Sequence, residues 1–376
     1  MEFRDLKLQY KKLKPAINEA MLQVATNGQF IMGPEVKVLE DELEDYVGVE
    51  HCITCANGTD ALQIALMIWE VGPGDAVFVP DFTFFSSAEV VAAVGAEPVF
   101  VDVRKDTFNM DFEDLEKAIT ETQKEGRLKP KAIIAVDLFG LPADYEKIRA
   151  VADKYNLKVL EDGAQGFGGN YLSRKACSFG DISTTSFFPA KPLGCYGDGG
   201  AIFTNNDQWA ALAQSYRFHG KGSYKYDNVR IGMNSRLDSI QAAVLRVKLR
   251  AFKSEELKAV QHYASRYDLL LADIPGLLGP EIPFGFKSSW AQYTIRLKDK
   301  QTRDALQAYL KERDIPSMVY YPTPMSGQTA FADLRKRNCP NAKELCDTVL
   351  SLPIHPYLNE KDQNKVVDTI REFLSA

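Results

Sequence analysis

Short apolar runs alternate with longer amphipathic segments over the first 160 residues of the chain. Apolar runs predict five strands, near residues 52–55, 76–79, 98–101, 132–136 and 158–160. Between and before them, apolar residues recur at helical spacing. The predicted helices lie near 12–27, 34–47, 59–70, 83–94, 111–123 and 143–155. Such alternation predicts a mostly parallel sheet that helices cover on both faces, since fully covered strands are continuously apolar, as 133–136 is.

The rhythm changes after residue 193. The glycine-dense stretch 197–201 predicts a hairpin-like return of the chain, and Pro275, Gly276 and Gly279 mark a break. Further helices are predicted near 206–216, 235–249, 252–272, 341–348 and 360–374, with a strand, a helix and a strand from residue 289 onwards. We therefore predict an α/β fold with a large domain of residues 1–250 and a small α+β domain of residues 251–376.

Composition restricts the possible function classes. Lys and Arg number 45 against 51 Asp and Glu, so the net charge is −6, which argues against nucleic-acid and membrane binding. No apolar run approaches the ~20 residues of a membrane span, and the polar start lacks the apolar core of a signal peptide, so a cytoplasmic protein is expected. Cys52 and Cys55 lie three apart in a predicted strand and point to opposite faces, so no metal site is predicted.

The most informative stretch of the chain is residues 157–204. An apolar run ends in Glu161 and Asp162, and a second run delivers Lys191 after a proline-containing bend. Pyridoxal phosphate (PLP) enzymes need a carboxylate that keeps the pyridine nitrogen protonated and a lysine that carries the cofactor. By residue type alone, Asp162 could instead be a helix N-cap. A lysine such as Lys191 is normally a solvated surface charge. The apolar residues before Lys191 nevertheless favour a lowered lysine pKa.

Four segments together carry a family resemblance. They are residues 57–62 (Asn-Gly-Thr-Asp-Ala-Leu), 161–165 (Glu-Asp-Gly-Ala-Gln), 186–191 (Ser-Phe-Phe-Pro-Ala-Lys) and 232–237 (Gly-Met-Asn-Ser-Arg-Leu). In this order they resemble the DegT/DnrJ/EryC1/StrS family of PLP-dependent nucleotide-sugar aminotransferases. The resemblance implies the aspartate aminotransferase-type fold (fold type I), PLP as cofactor, and a homodimer with shared active sites.

The resemblance also implies roles for individual residues. Lys191 would carry the cofactor and move protons, Asp162 would pair with the pyridine nitrogen, and Gln165 would reach the phenolic oxygen. An aromatic ring, Phe84 with Phe82 or Phe85 as alternatives, would stack on the pyridine opposite Ala164. The phosphate would be held by Gly58, Thr59, Asp60 and Ser186, with Asn234 of the partner subunit.

The loop 219–236 is the candidate substrate clamp. Its basic residues alternate with Tyr224 and Tyr226, and they are His219, Lys221, Lys225, Arg230 and Arg236. A solvated loop and a clamp for a nucleotide diphosphate-sugar both fit this composition. The resemblance favours Arg236 as the substrate-facing cation and adds Tyr320 and Tyr321. The sequence departs from the family pattern at Ser326, where many relatives carry histidine. The substrate contacts on that side of the site therefore stay open.

The implied reaction transfers an amino group from L-glutamate to a nucleotide-linked keto-sugar. A UDP-linked 3-oxo sugar, possibly a uronic acid, is favoured by resemblance, and a 4-oxo-6-deoxy sugar is the alternative. A sugar dehydratase of the same fold would carry histidine in place of Lys191, and a non-catalytic PLP-binding regulator is a further alternative. An NAD-dependent enzyme is disfavoured because no G-x-G-x-x-G segment follows the first strand.

Overall fold

A computed structural model describes residues 1–224 and 226–375. The first nine strands supply the whole of the large sheet and two strands of a small ribbon. These are β1 (His51–Cys55), β2 (Asp75–Pro80), β3 (Glu97–Val101), β4 (Lys129–Val136), β5 (Lys158–Asp162), β6 (Asn170–Tyr171), β7 (Arg174–Lys175), β8 (Ile182–Ser186) and β9 (Gly200–Thr204). The helices of this part are α1 (Leu6–Asn27), α2 (Pro34–Val47), α3 (Gly58–Ile68), α4 (Ser86–Ala93), α5 (Phe112–Glu125), α6 (Tyr145–Tyr155), α7 (Asp207–Tyr216) and α8 (Ser239–Ala251).

Seven strands form one sheet in the order β1-β9-β8-β5-β4-β2-β3. Strand β9 is antiparallel to both of its neighbours, and every other pair is parallel. Six strands therefore run in one direction, which confirms the predicted mostly parallel sheet. The antiparallel pairing of β8 with β9 likewise confirms the predicted return of the chain near residues 197–201.

Helices cover both faces of this sheet, and the apolar pattern of the strands shows why. In β2, Val77 and Val79 pack in one buried cluster, whereas Ala76 and Phe78 pack in another. Successive side chains point to opposite faces of a strand, so a strand covered on both sides needs apolar residues at every position. The continuous apolar runs in the sequence are the consequence.

Two predicted helix starts are displaced. Helix α1 begins at Leu6 rather than near residue 12, because the Asp5 side chain accepts a hydrogen bond from the Leu8 amide and caps the helix. Helix α8 begins at Ser239 rather than near residue 235, because the Ser235 amide donates to the Arg217 carbonyl oxygen and keeps that segment non-helical.

The C-terminal part contains a second, smaller sheet. The elements of the C-terminal part are α9 (Leu257–Leu271), β10 (Leu277–Leu278), β11 (Phe286–Lys287), β12 (Tyr293–Leu297), α10 (Lys300–Glu312), α11 (Pro340–Thr348), β13 (Val349–Leu352) and α12 (Glu360–Ser375). Strands β10, β12 and β13 form an antiparallel sheet with its own apolar core. The predicted first strand and helix are present as β12 and α10. The second strand was predicted before the helix near 341–348, and this order is wrong, because β13 follows that helix.

The predicted division at residue 250 stays a prediction. A π-helical turn, Phe252–Glu256, joins α8 to α9, so the chain is helical across that position. In addition, Ala342 and Leu345 of α11 pack into the core of the large sheet. All six cysteines are free and buried. Among the described residues, no helix combines the length and apolarity needed to cross a membrane.

Candidate active site

A cavity of about 650 Å³ opens at the carboxyl ends of the parallel strands. Parallel α/β sheets bind their ligands at this edge, where the loops after neighbouring strands meet. The residues that line the cavity come from segments far apart in sequence. Among them are Asn57, Gly58, Thr59, Asp60, Phe84, Asp162, Ala164, Gln165, Ser186, Lys191, Asp198, Gln292, Tyr320 and Tyr321. The structure therefore brings together most of the predicted site residues, although their roles remain predictions.

Lys191 lies in a turn that follows β8, where its amide donates to the Phe188 carbonyl oxygen at 2.8 Å. Burial lowers the pKa of its ammonium group to about 8, and the negative charge of Asp162 opposes that shift. A substantial fraction of this amine is therefore neutral near physiological pH. Only the neutral amine can attack an aldehyde or take up a proton.

Asp162 is the last residue of β5, and its side chain is 5% exposed. Its Oδ2 accepts a hydrogen bond of 2.7 Å from the Ser87 hydroxyl, and its Oδ1 accepts one of 3.2 Å from the Ala164 amide. Burial raises the pKa of this carboxyl, while Ser87 and Lys191 act in the opposite direction. A buried carboxylate at a cavity wall is suited to hold a cationic partner such as a protonated ring nitrogen.

The N-terminus of α3 forms an anion cradle. The Asn57 side chain accepts from the Asp60 amide at 2.8 Å, and the amides of Gly58 and Thr59 come earlier in the helix, where no intrahelical acceptor exists. A Cβ on Gly58 would lie 2.7 Å from the Ser186 Cβ, so only glycine lets the helix approach β8 this closely. The position suits a phosphate group. Since the Asp60 amide already has an acceptor, its predicted role in phosphate binding rests on resemblance alone.

The walls of the cavity carry both polar and aromatic side chains. Gln165 donates from Nε2 to the Tyr321 hydroxyl at 3.0 Å, and its Oε1 accepts from the Phe139 amide at 2.7 Å. Phe84 lines the cavity and is 51% exposed, whereas the alternative Phe82 is 1% exposed in the core. Of the two, Phe84 is therefore available to stack on a bound ring.

Asn234 and Arg236 are not among the residues that line this cavity. The Arg236 guanidinium donates to the Asn234 side chain and lies 4.6 Å from the centre of the Phe218 ring. The preceding loop lines a separate open groove of about 890 Å³ with His219 and Arg230. Lys221 and Tyr226 also line that groove, whereas Lys225 lies outside the described residues.

Ser326 has a structural partner away from the cavity. Its hydroxyl donates to Oδ2 of Asp81 at 2.8 Å, and its amide donates to Oδ1 at 2.6 Å. Asp81 is almost fully buried, directly after β2. The serine therefore ties the segment after Tyr321 to the sheet.

Sequence reasoning missed several residues that build the site. Ser87 orients Asp162, Gln292 lines the cavity with a buried and unpaired Oε1, and Arg4 hydrogen-bonds the carbonyl oxygen of Lys191. Arg4 is 187 positions from Lys191, and Ser87 is 75 from Asp162. No local pattern signals such contacts.

A buried carboxylate, a lysine of lowered pKa and a phosphate cradle surround one cavity at the edge of a mostly parallel sheet. Together they define a PLP-dependent enzyme of fold type I, and the residues present fit that cofactor. The chain belongs to the DegT/DnrJ/EryC1/StrS aminotransferase family, whose model matches residues 11–371. The predictions of fold, cofactor and aminotransferase class are confirmed.

Individual relatives resemble the chain over almost its whole length. It is 46% identical over 359 residues to UDP-2-acetamido-2-deoxy-3-oxo-D-glucuronate aminotransferase of Pseudomonas aeruginosa, with 96% of each chain covered. A crystal structure of a family aminotransferase from Brucella abortus is 51% identical, with a TM-score of 0.97 and full coverage of both chains. NtdA of Bacillus subtilis, solved with bound PMP, is 26% identical with a TM-score of 0.88, over 97% of this chain and 82% of that one.

Proposed function

We propose that the protein transfers an amino group from L-glutamate to C3 of a UDP-linked 3-oxo sugar, with a uronic acid as the favoured form. The observation that carries this proposal is the pairing of Lys191 and Asp162 across one cavity, on a chain 46% identical to an aminotransferase named for such a substrate. An aminotransferase for a 4-oxo-6-deoxy sugar is the second candidate, because the same cofactor site serves either ketone.

Lys191 is proposed to hold the cofactor and to act as the base. PLP, when bound, supplies an aldehyde for the covalent link and a ring that accepts electrons. The Lys191 amine, once released from the cofactor, takes the proton from the α-carbon of the amino donor. In the second half of the reaction, its ammonium form delivers a proton to the sugar carbon that receives nitrogen. A pKa near 8 allows the group to serve both purposes at neutral pH.

Asp162, Gly58, Thr59 and Ser186 are proposed to fix the cofactor. Asp162 stabilises a positive charge on the ring nitrogen, and the Ser87 hydroxyl keeps the carboxylate in place. At the other end of the cavity, the free amides at the start of α3 and the Ser186 hydroxyl receive the phosphate. Gln165 is proposed to contact the phenolic oxygen, which is supported by its position at the cavity wall, where its amide nitrogen donates to the Tyr321 hydroxyl.

A homodimer with shared sites is part of the proposal. Asn234 is exposed and lies outside the cavity of its own chain, and the nearby Ile231 is 89% exposed. Ile231 lines the same open groove as the exposed Val229 and Tyr226, and such groups of exposed apolar side chains are typical of protein interfaces. We propose that this loop enters the partner's cavity, where Asn234 reaches the phosphate and Arg236 the acidic part of the substrate. The proposed location is the cytoplasm.

Two experiments test the attachment of the cofactor and then the choice of substrate. Purified protein is loaded with PLP and reduced with borohydride, and the modified peptide is identified by mass spectrometry. Attachment at Lys191 and its loss in Lys191→Ala are expected, and attachment elsewhere would refute the assignment. Glutamate-dependent turnover is then compared between UDP-linked 3-oxo sugars, with and without the uronic carboxylate, and 4-oxo-6-deoxy sugars. Preference for the last group would establish the second candidate.

Sharing of the site is tested with mixed dimers. Lys191→Ala and Asn234→Ala subunits are each expected to have little activity as homodimers. A shared site predicts that mixing them restores activity, because one of the two sites in a mixed dimer then has both intact residues. Absence of recovery after verified subunit exchange would contradict the shared site.

A further inference from the structure

The segment before α1 runs from the C-terminal core to the turn that carries Lys191. Met1 packs against the core of the smaller sheet, and the Phe3 ring lies 6.2 Å from the ring of Tyr320 at the cavity wall. The Arg4 guanidinium donates to the carbonyl oxygens of Lys191 at 2.8 Å and Pro192 at 3.4 Å. Residues 3 and 4 therefore contact two walls of the same cavity.

The positive charge of Arg4 acts on three neighbouring basic groups. It lowers the pKa values of Lys191, Lys248 and His355. Glu256 is the nearby anion that opposes the effect of burial, and burial lowers the pKa of Arg4 itself to about 10. An arginine retains its proton even so at neutral pH, so a fixed positive charge stands behind the lysine turn.

Glu256 does not neutralise this charge by direct contact. Its Oε1 accepts from Gln9 Nε2 at 2.9 Å and also from the Tyr357 hydroxyl. Within residues 1–224 and 226–375, Arg4 makes no ion pair shorter than 4.0 Å. Its guanidinium donates to backbone carbonyl oxygens. A guanidinium that binds carbonyl oxygens fixes the backbone without losing its charge to a carboxylate.

We propose that Arg4 is a positioning residue for Lys191: its guanidinium holds the backbone of the lysine turn and places a fixed positive charge beside that turn. The proposal rests on the assignment of Lys191 as the cofactor lysine. It adds a residue outside the four segments that carry the family resemblance. Two charged groups act on the Lys191 amine. Asp162 favours its ammonium form, and Arg4 opposes that form.

Three variants separate the two contributions of Arg4. Arg4→Lys keeps the charge but loses the planar fork, Arg4→Gln keeps a donor for the carbonyls but loses the charge, and Arg4→Met loses both. Lys7→Gln is the matched control, since Lys7 is highly exposed on the same part of the chain and carries the same charge. Melting temperatures of all four variants report on folding.

The readout is the reactivity of Lys191 in cofactor-free protein. An amine-acylating reagent is applied for short times at a series of pH values, and labelling of the Lys191 peptide is measured by mass spectrometry. We expect Arg4→Gln and Arg4→Met to move the midpoint to higher pH and to slow labelling at pH 7 about threefold or more. Arg4→Lys is expected to stay near the wild-type midpoint.

Each outcome decides the proposal. An unchanged midpoint of Lys191 labelling in Arg4→Gln would overturn the proposal. An equal shift of that midpoint in Lys7→Gln would overturn it as well. If Arg4→Met folds poorly, the Arg4→Gln and Arg4→Lys variants decide. Borohydride trapping of PLP in the wild type keeps the two assignments apart. If trapping shows attachment at another lysine, the cofactor assignment fails, whereas the labelling curve still reports whether Arg4 tunes Lys191.

Discussion

The Ser87 hydroxyl donates a 2.7 Å hydrogen bond to Oδ2 of Asp162 and so joins the first turn of α4 to the end of β5. This bond lowers the pKa of a carboxyl that burial raises. A hydrogen bond to the charged form stabilises that form, so the serine helps to keep Asp162 ionised. Ser87 thereby supports the group on which the proposed chemistry depends.

Replacement of Ser87 by alanine is expected to raise the pKa of Asp162 and to lower kcat. The loss of one charge-assisted hydrogen bond corresponds to about a tenfold effect. In a profile of kcat against pH, the acid limb should move to higher pH, because Asp162 then takes up a proton more easily. Ser173→Ala, at an exposed position, is the control. An acid limb that does not move in Ser87→Ala would contradict the role of this bond.

Gly58→Ala tests the phosphate cradle. The new Cβ would lie 2.7 Å from the Ser186 Cβ, so α3 must move away from β8 or the two must distort. We expect PLP affinity to fall by about tenfold or more and the melting temperature to drop. Both are measurable by titration of cofactor-free protein and by thermal unfolding.

Gly72→Ala is the matched control for this variant. A Cβ at Gly72 would meet only the Val94 carbonyl oxygen at 3.8 Å, an ordinary contact. The control should therefore bind PLP as the wild type does. Equal PLP affinity in Gly58→Ala and wild type would show that the phosphate lies elsewhere.

The strands and the central pair of residues were predictable because both depend on local pattern. Five apolar runs marked five strands of the large sheet, since a strand covered on both faces must be apolar throughout. Asp162 and Lys191 were found from linear motifs at the ends of such runs. Ser87 and Arg4 were missed because their partners lie 75 and 187 positions away. The partner of Ser326 was equally invisible, because Asp81 lies 245 positions upstream of it.

Lys191→Met is expected to stabilise the cofactor-free protein in a pH-dependent way. Burial depresses the pKa of Lys191 from 10.5 to about 8, so the folded state binds this proton less tightly than the unfolded state. The destabilisation is fully present below pH 8 and disappears as the pH rises from 8 towards 10.5. Methionine fills a similar volume without a charge. A gain of about 1 kcal/mol in the free energy of unfolding is expected at pH 7, allowing for partial solvent access.

Urea unfolding at pH 7 and pH 10 measures this effect. The gain at pH 7 should shrink or vanish at pH 10, where the wild-type amine is already neutral when folded. Lys7→Met, at an exposed site, controls for the loss of a surface charge. A gain of equal size at both pH values would indicate better packing rather than relief of a buried charge.

Ser326→Ala is expected to destabilise the protein more at neutral than at acidic pH. Burial raises the pKa of Asp81, and the amide and hydroxyl of Ser326 are the groups that lower it most. A group with a raised folded pKa contributes stability that is present below its unfolded pKa and is lost as the pH rises through the folded value. Removal of the hydroxyl takes a hydrogen-bond donor away from the ionised carboxylate and therefore raises the folded pKa of Asp81 further. We expect the free energy of unfolding at pH 7 to fall by about 1–2 kcal/mol.

The double variant Asp81→Asn with Ser326→Ala isolates this pH dependence. Unfolding free energies at pH 7 and near pH 4 should show a larger loss at pH 7 for Ser326→Ala in the wild-type background. With asparagine at position 81, the group no longer titrates, so the loss on removing the hydroxyl should be the same at both pH values. If Ser326→Ala instead costs equally at both pH values in the wild-type background, the serine stabilises the segment after Tyr321 by packing. The 2.8 Å bond to Asp81 would then have no separate electrostatic role.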